Sequence, residues 1–342
     1  MTGPETPTAE TRWAGWARTF AYGLAGLVAG YLALAYAIDP YDSGRSSLLS
    51  VDAVRPQGPR TSAAVRGRDP AYRGAIFGNS HIQLIDPGRL SQATGIPFVQ
   101  LSVTATGPGE QFTLMDWYLR HHAAPRALVV SADNFWCTDD PHLSNDKPFP
   151  FWLFSDRTVV YLRGLLRWSV LEELSDRIGW LLRKRHETAP RDGWWDYEAD
   201  YSALGYAGDP VKAAEREKPA PEAPEAGRAG PSFPAAERFT AIAAALPAET
   251  ALILVFPPIY AAALPRPGTP RARAEQACKA ALIASVRGHR RSAVLDWRRD
   301  GPEARDPALF FDQSHYRHPL ARKVAADIAA AIARLEGDAR AH

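Results

Sequence analysis

The sequence has few of the residues that usually hold a metal ion. It contains only two cysteines, Cys137 and Cys278, which lie far apart, and it has no CxxC pair and no HExxH stretch. These absences exclude the common zinc motifs. The two cysteines are expected to be partly buried free thiols, and one disulfide is the alternative in an oxidising compartment.

An excess of charge of one sign is also lacking. The chain has 40 Lys and Arg against 38 Asp and Glu, a formal net charge of +2, and no long basic run. A nucleic-acid partner is therefore not expected, because a surface that follows phosphates needs clustered positive charge. With 46% hydrophobic and 23% charged residues, the composition is that of a folded protein.

One segment near the N-terminus has no charged residue at all. It reads TFAYGLAGLVAGYLALAYAI and runs from Thr19 to Ile38. As a helix rising about 1.5 Å per residue, it would span roughly 30 Å, the thickness of the hydrocarbon core of a bilayer. The run has no polar face, which argues against a buried helix of a soluble protein. We expect residues 19–38 to be a single transmembrane anchor.

The charges that flank this run predict its orientation. Arg12 and Arg18 precede it, and basic flanks stay in the cytoplasm. We therefore expect residues 1–18 to be cytoplasmic and the main domain to lie outside, on the periplasmic side of the inner membrane, after an irregular arm at 39–72. A signal-peptidase site at the AYA stretch 35–37 is the alternative, but the apolar run is longer than usual for a signal peptide.

Five short apolar runs have the composition of buried strands. They are AIFGNS (75–80), PFVQLSV (97–103), ALVVSA (127–132), ALILVF (251–256) and AVLDW (293–297). Helical segments are expected between or after them, at 87–94, 110–122, 271–287 and 319–335. Short apolar strands that alternate with helices indicate a mainly parallel sheet covered on both faces. The sequence thus predicts a three-layer α/β/α sandwich with a five-stranded sheet, formed by residues 73–137 and 236–342.

The long segment at 138–235 interrupts this alternation and is expected to be an insertion of helix and loop. Residues 157–185 carry a leucine stripe at helical spacing, whereas 209–231 is rich in Pro, Ala and Glu and is expected to be a mobile surface loop. The aromatic and acidic stretch at 194–198 either stacks on sugars or forms a packed cluster that anchors the insertion. We expect the insertion to lie over the strand ends and to set the substrate.

Polar side chains follow the strands where ligands bind in parallel α/β sheets. Ser80 ends the first strand, and Asp312 and His315, three positions apart, precede the last helix. A serine hydroxyl becomes nucleophilic when a base accepts its proton, and an acid beside the base holds the imidazole in one orientation. This order of residues predicts a Ser–His–Asp triad, with the Ser80 hydroxyl within about 4 Å of a ring nitrogen of His315.

Two short motifs resemble the SGNH/GDSL hydrolase superfamily. FGNSH at 77–81 is similar to its first block, in which the serine ends the first strand, and DQSHYRHP at 312–319 is similar to its last, an Asp-x-x-His before the closing helix. The resemblance covers roughly 73–137 and 250–335. It implies that Ser80 is the nucleophile, His315 the base and Asp312 the residue that orients it. A GxSxG elbow is absent, because Ile82 stands where that motif has its second glycine.

The resemblance also implies an oxyanion hole. Its donors would be the backbone N–H of Ser80 and that of Ala105 or Gly107, together with a side chain after the third strand. The chain departs from the family there: Asp133 falls at the expected asparagine position, with Asn134 one residue later, and an ionised aspartate would repel an oxyanion.

The expected function is that of an extracytoplasmic serine esterase or O-acyltransferase. Membrane-tethered members of the superfamily share this layout, and the analogy suggests an ester of an envelope glycan or lipid-linked sugar as substrate. No metal or organic cofactor is expected, and a membrane protein is a candidate partner. The alternative is a non-catalytic SGNH-like scaffold in a membrane complex that modifies polysaccharide, an interpretation that Asp133 favours.

Overall fold

The computed structural model describes residues 9–143, 145, 147–182, 187–206, 208–228 and 230–340. Their contacts divide the chain into two compact units. The anchor unit contains the N-terminal segment up to Asp52 together with the segment that begins at Ser155 and is described to Leu182. The α/β unit contains Ala53–Phe154 and the chain from Glu187 onward. The predicted insertion at 138–235 is therefore divided between the two units.

The secondary structure alternates between strands and helices as the apolar runs predict. The strands are β1 (Gly74–Phe77), β2 (Phe98–Gln100), β3 (Ala127–Ser131), β4 (Ala251–Phe256) and β5 (Ser292–Asp296). The helices are α1 (Ala9–Ile38), α2 (Pro59–Gly67), α3 (Pro87–Thr94), α4 (Pro108–His121), α5 (Thr158–Leu165), α6 (Trp168–Leu182), α7 (Glu198–Ala203), α8 (Pro210–Arg216), α9 (Pro234–Ala245), α10 (Pro270–Arg287) and α11 (His318–Arg340).

The five strands form one sheet in the order β2-β1-β3-β4-β5, and every pair is parallel. Strands β1 to β4 are fully buried, and their side chains alternate between the two faces. On one face Ile76, Val129 and Ile253 pack in a core with the apolar sides of α3 and α11. On the other face the ring of Phe77 meets that of Tyr118 on α4. The predicted α/β fold with helices flanking a five-stranded sheet is confirmed.

In the anchor unit, α1 contains the segment Trp13–Ile38, which is long and apolar enough to cross a membrane. Both α5 and α6 pack against α1. Residues 157–185, whose leucine stripe has helical spacing, form two helices within the described residues, because the chain turns at Leu166 and Arg167. The spacing of the leucines gives no sign of this turn. Residues 183–185 of this range lie outside the described residues.

Two segments expected to be irregular contain helices. Within the arm at 39–72, α2 begins with Pro59 at its first turn, a position that suits proline. It is held by α4, where Trp117 Nε1 donates to Ala64 O over 3.0 Å. Within 209–231, α8 begins at an Asp209 side chain that accepts from the Val211 N–H. Side-chain caps and tertiary contacts form these helices in segments whose composition favours loops.

The expectation of two free thiols was wrong, because Cys137 and Cys278 form a disulfide. Cys137 ends a short 3₁₀ turn after β3, and Cys278 lies on α10, which packs against that turn. The sheet brings the two residues together across a sequence separation of 141. Their spacing gives no sign of this contact.

Candidate active site

Ser80 lies at the tip of β1, two residues after a glycine that no other residue can replace without strain. Gly78 has a φ of +154°, and a Cβ there would lie 2.7 Å from Ile82 Cγ2 and 2.9 Å from Ser131 Cβ. The chain then turns tightly, with Gln83 N donating to Ser80 O over 3.3 Å. This turn presents a half-buried Ser80 side chain at the carboxyl edge of the sheet.

The structure brings Ser80, His315 and Asp312 together. His315 Nε2 lies 2.9 Å from Ser80 Oγ, and His315 Nδ1 lies 2.8 Å from Asp312 Oδ2. The Ser80–His315 distance falls within the range expected from the sequence. Both side chains of the 312–315 loop are mostly buried, with 29% of Asp312 and 15% of His315 exposed. The three groups therefore form a continuous hydrogen-bonded chain from carboxylate to hydroxyl.

The loop that carries Asp312 is held by its own carboxylate. Asp312 Oδ1 accepts from the backbone N–H groups of Ser314 and His315, each over 2.8 Å. Burial opposes ionisation of Asp312, but the bond from His315 and these two N–H groups outweigh it and lower the pKa of the carboxyl. Asp312 is therefore a carboxylate at neutral pH, able to hold one tautomer of His315 and to stabilise its protonated ring.

Two tyrosines enclose the imidazole: Tyr197, from the aromatic and acidic stretch at 194–198, and Tyr201, which follows that stretch. The ring centroids of Tyr201 and Tyr197 lie 5.0 Å and 5.8 Å from that of His315. Burial raises the pKa of both phenols, so they are neutral and add an apolar wall. Tyr197 OH donates to Tyr316 O over 3.2 Å. In the sequence, Tyr197 belongs to the stretch that was expected to stack on sugars or to form a packed cluster, whereas Tyr201 was not singled out.

That stretch is anchored on the start of α11. Glu198 accepts from the Arg317 guanidinium and from the His318 N–H, and Asp196 Oδ2 lies 2.9 Å from His318 Nε2. The packed-cluster interpretation thus describes Tyr197 and its neighbours, whereas the Trp195 side chain is 43% exposed. This part of the predicted insertion lies against the loop that carries the triad histidine.

The segment 210–218 contacts the same loop from another direction. The Gln313 side-chain amide donates to the carbonyl oxygens of Arg216 and Lys218, over 3.2 Å and 2.6 Å. Arg216 Nη1 donates to Phe310 O over 3.2 Å. This segment, expected to be a mobile loop, therefore helps to fix the residues on both sides of Asp312.

Among the proposed oxyanion donors, Ser80 and Ala105 keep free backbone N–H groups. Neither group has an acceptor among the residues that the structure describes. Ala105 has a φ of +53°, and its carbonyl accepts from Asn145 Nδ2 over 3.1 Å, so the peptide is held in an unusual conformation. The N–H of Gly107, in contrast, donates to Glu110 Oε2 over 3.0 Å as a helix cap. The structure thus leaves Ala105 rather than Gly107 with a free donor.

The carboxylate of Asp133 already has side-chain partners. It is buried, and its Oδ2 accepts from Asn79 Nδ2 over 2.6 Å and lies 2.9 Å from His81 Nδ1. Burial opposes its ionisation, but these contacts, with the Phe135 N–H, lower the pKa of the carboxyl. The negative charge of Asp133 is therefore compensated by these neighbouring groups and does not face an oxyanion.

Asn134 and His81, which lie near Asp133 in sequence or in space, have different neighbours. Asn134 lines a cavity of about 30 Å³ beside Cys137 and Glu275, whose lining does not include Ser80 or the other triad residues. Among the described residues, no hydrogen bond links Asn134 to Ser80, His315 or Asp312. The ring centroid of His81 lies 5.3 Å from that of His315, so His81 borders the site.

Comparison with known proteins gives no family model and no curated protein that matches the sequence. Among the described residues, no group of three or more His, Cys, Asp and Glu side chains is arranged to hold a metal ion. We therefore infer the function from the geometry of the site itself.

Proposed function

We propose that this chain is a membrane-anchored serine esterase or O-acyltransferase of the SGNH type. The observation that carries the proposal is the 2.9 Å contact between Ser80 Oγ and His315 Nε2, extended by the contact between His315 Nδ1 and Asp312. A nucleophile, a base and a group that orients the base are the elements that acyl transfer by serine requires.

In the proposed reaction, Ser80 Oγ attacks the acyl carbonyl while its proton passes to His315 Nε2. The oxyanion that forms is held by the free N–H groups of Ser80 and Ala105. His315 then returns the proton to the departing alcohol oxygen, and the acyl group remains on Ser80. Water or a sugar hydroxyl next gives its proton to His315 and attacks the acyl carbonyl. The bond to Ser80 Oγ then breaks, His315 returns the proton to Ser80 Oγ, and the acyl group leaves as an acid or a new ester.

Asp312 acts through His315 in this scheme. Because its pKa is lowered, it remains ionised while His315 gains and loses a proton. Its Oδ2 accepts from the Nδ1–H and so leaves Nε2 free to receive the proton of Ser80. The Tyr201 and Tyr197 rings limit water around the imidazole, which strengthens this electrostatic contact.

The assignment to the SGNH type is supported by the GNSH and DQSH motifs together with the parallel sheet on which they lie. The non-catalytic scaffold remains the alternative, since the resemblance places Asp133 where a donor is expected. The bonds that Asp133 makes to Asn79 and His81 favour the enzyme, because they compensate its charge within the fold.

An extracytoplasmic location is proposed on two grounds. Arg12 and Arg18 lie at the N-terminal end of the apolar helix, which favours a cytoplasmic N-terminus. The Cys137–Cys278 disulfide is typical of an oxidising compartment such as the bacterial periplasm. A site anchored at the outer surface of a membrane suits an ester of an envelope glycan or lipid-linked sugar, and a membrane partner that presents the substrate is part of this proposal.

The test is labelling of the full chain in detergent by a fluorophosphonate, which reacts with activated serines. Wild type is expected to be labelled at Ser80, and Ser80→Ala to be unlabelled. Ser47→Ala, which removes an exposed serine of the anchor unit, is the matched control and is expected to be labelled as wild type is. Equal labelling of Ser80→Ala, or absence of label and of aryl acetate turnover in wild type, would favour the scaffold.

A further inference from the structure

A second cavity lies beside the turn that carries Ser80. It has a volume of about 280 Å³ and is formed entirely within the α/β unit, between α2, the end of β2 and the segment 189–195. The side chains that matter for its chemistry are Gln57, Arg66, Gln83, Ser102, Trp194 and Trp195. The triad residues do not line it, so it is distinct from the catalytic contact.

The cavity wall contains several buried polar atoms without a hydrogen-bond partner among the described residues. They are Arg66 Nε, Gln83 Oε1, Ser102 Oγ and Gln57 Nε2. The Gln83, Ser102 and Arg66 side chains are more than nine-tenths buried, with exposures of 3%, 6% and 8%. Buried polar groups are normally paired, because an unpaired one has lost its bonds to water without replacement. Four such atoms on side chains that line one cavity favour a polar ligand there.

The wall is held in place by bonds that do not use these atoms. Arg66 donates through Nη1 to Ser62 Oγ over 2.6 Å and through Nη2 to Pro190 O over 3.1 Å, which leaves Nε for the cavity. Gln100 Nε2 donates to the carbonyl oxygens of Gln83 and Ile85. A preformed wall of this kind lowers the entropy cost of binding.

The mixture of donors and acceptors decides the ligand class. Arg66 Nε and Gln57 Nε2 donate, Gln83 Oε1 accepts, and Ser102 Oγ can do either. An anion would satisfy the donors but leave Gln83 Oε1 without a hydrogen. Vicinal hydroxyls of a sugar both donate and accept, and the half-exposed indole of Trp195 offers a face on which a sugar ring can stack.

We propose that this cavity binds a neutral sugar ring and is the carbohydrate subsite for the substrate or acceptor of Ser80. The inference depends on the proposed function for its role, but the binding itself needs no chemistry. Two main-chain hydrogen bonds connect the subsite to the segment 78–80, which ends in the nucleophile: Gln83 N donates to Ser80 O, and Val103 N donates to Gly78 O. On the other side, the Trp194 ring lies 6.5 Å from that of His318, at the start of α11.

The test measures saccharide binding by saturation-transfer NMR titration of the full-length Ser80→Ala chain. The probes are cellobiose, the disaccharide of N-acetylglucosamine and inorganic phosphate, in a zwitterionic detergent that has no sugar headgroup. We expect a saturable signal from at least one disaccharide, and no loss of that signal when inorganic phosphate, which has no proton to observe, is added as a competitor. Gln83→Leu and Trp195→Ala are expected to weaken that binding by about tenfold or more.

Matched controls are Gln92→Leu on α3 and Trp168→Ala on α6, whose side chains are exposed and do not line the cavity. Both are expected to keep the affinity of the Ser80→Ala chain. The unfolding temperature of each variant checks folding, and Trp195→Ala keeps the test decisive if Gln83→Leu does not fold. Absence of saccharide binding, equal binding by all variants, or displacement of the sugar by phosphate would overturn the inference. Each of these results is independent of whether Ser80 is labelled.

Discussion

Asn79 Nδ2 donates a 2.6 Å hydrogen bond to Asp133 Oδ2, and this contact joins the ends of β1 and β3 beneath the proposed nucleophile. Asn79 Nδ2 also lies 3.3 Å from Thr106 O, and Asn79 Oδ1 accepts from His81 N. One amide therefore connects three of the segments that border the site. The first block of the resembled family usually has Asp before its serine, so Asn79 is a further departure from the family. With Asp133 it forms one compensated pair, an amide where that family has Asp and a carboxylate where it has Asn.

Asn79→Asp, which restores the residue usual in the resembled family, is expected to damage this chain. It places two buried carboxylates in contact, and the free energy of unfolding should fall by roughly 2–4 kcal/mol near neutral pH. The loss should be smaller at acid pH, where the pair can share a proton. Chemical denaturation of the full chain at several pH values measures this effect, and aryl acetate turnover measures its consequence at Ser80.

The exchange variant Asn79→Asp/Asp133→Asn is the control for this prediction. It restores one amide and one carboxylate, so it should recover most of the stability that Asn79→Asp loses. If the exchange is no better than Asn79→Asp alone, the contact between these two residues does not explain the departure from the family.

Asp312→Asn is expected to lower turnover of an aryl acetate by about 10³–10⁴, because an amide no longer fixes the tautomer of His315. Labelling of Ser80 by a fluorophosphonate should slow to a similar extent. Ser314→Ala tests the neighbouring hydroxyl, which lies 3.3 Å from His315 Nδ1, and should have a much smaller effect. A small loss in Asp312→Asn would contradict the role assigned to the carboxylate.

The same variant has a predictable dependence of stability on pH. Since the folded-state pKa of Asp312 lies below the usual aspartate value of about 3.9, the unfolded chain binds more protons between the two values. The stability that the carboxylate confers is complete above the unfolded pKa and is lost as pH falls through the folded one. The difference in unfolding free energy between wild type and Asp312→Asn should therefore be constant near neutrality and shrink below about pH 4. A difference that stays constant to pH 3 would argue against this contact.

Reduction of the Cys137–Cys278 disulfide is expected to destabilise the α/β unit. The bond closes a loop with a sequence separation of 141, and loss of such a constraint costs up to about 5 kcal/mol in the chain-entropy description. Dithiothreitol should lower the unfolding temperature of wild type but leave that of Cys137→Ala/Cys278→Ala unchanged. An equal response of the two proteins would show that the bond is not formed in solution.

The orientation of the anchor is tested by a reporter fused after Asp39. A reporter that works only outside the cytoplasm, such as alkaline phosphatase, should be active at this junction, because Arg12 and Arg18 keep the N-terminus inside. Replacement of both arginines by glutamate should reduce that activity. Activity of a cytoplasm-only reporter at the same junction would contradict both the location and the envelope substrate.

The sequence by itself determined the fold class, the order of the strands along the chain and the apolar helix. Buried parallel strands must be short and apolar on both faces, so ALVVS and ALILVF are recognisable without a structure. Ser80 follows the first strand, and the Asp312–His315 pair lies between the last strand and the last helix. These places indicated the site, because parallel strands direct their carboxyl ends to one edge of the sheet. Local chemistry was sufficient for these predictions.

Only the tertiary structure decided which hydrogen-bonding groups are free and which already have a partner. Gly107 has a suitable N–H for its proposed place, but Glu110 already accepts from it. The charge of Asp133 is unsuitable for its proposed place, but the carboxylate already accepts from Asn79. The disulfide, the tyrosines around His315 and the unpaired atoms of the second cavity likewise depend on contacts between distant segments. Such contacts leave no local period or spacing, because side-chain partners are chosen by packing and not by separation along the chain.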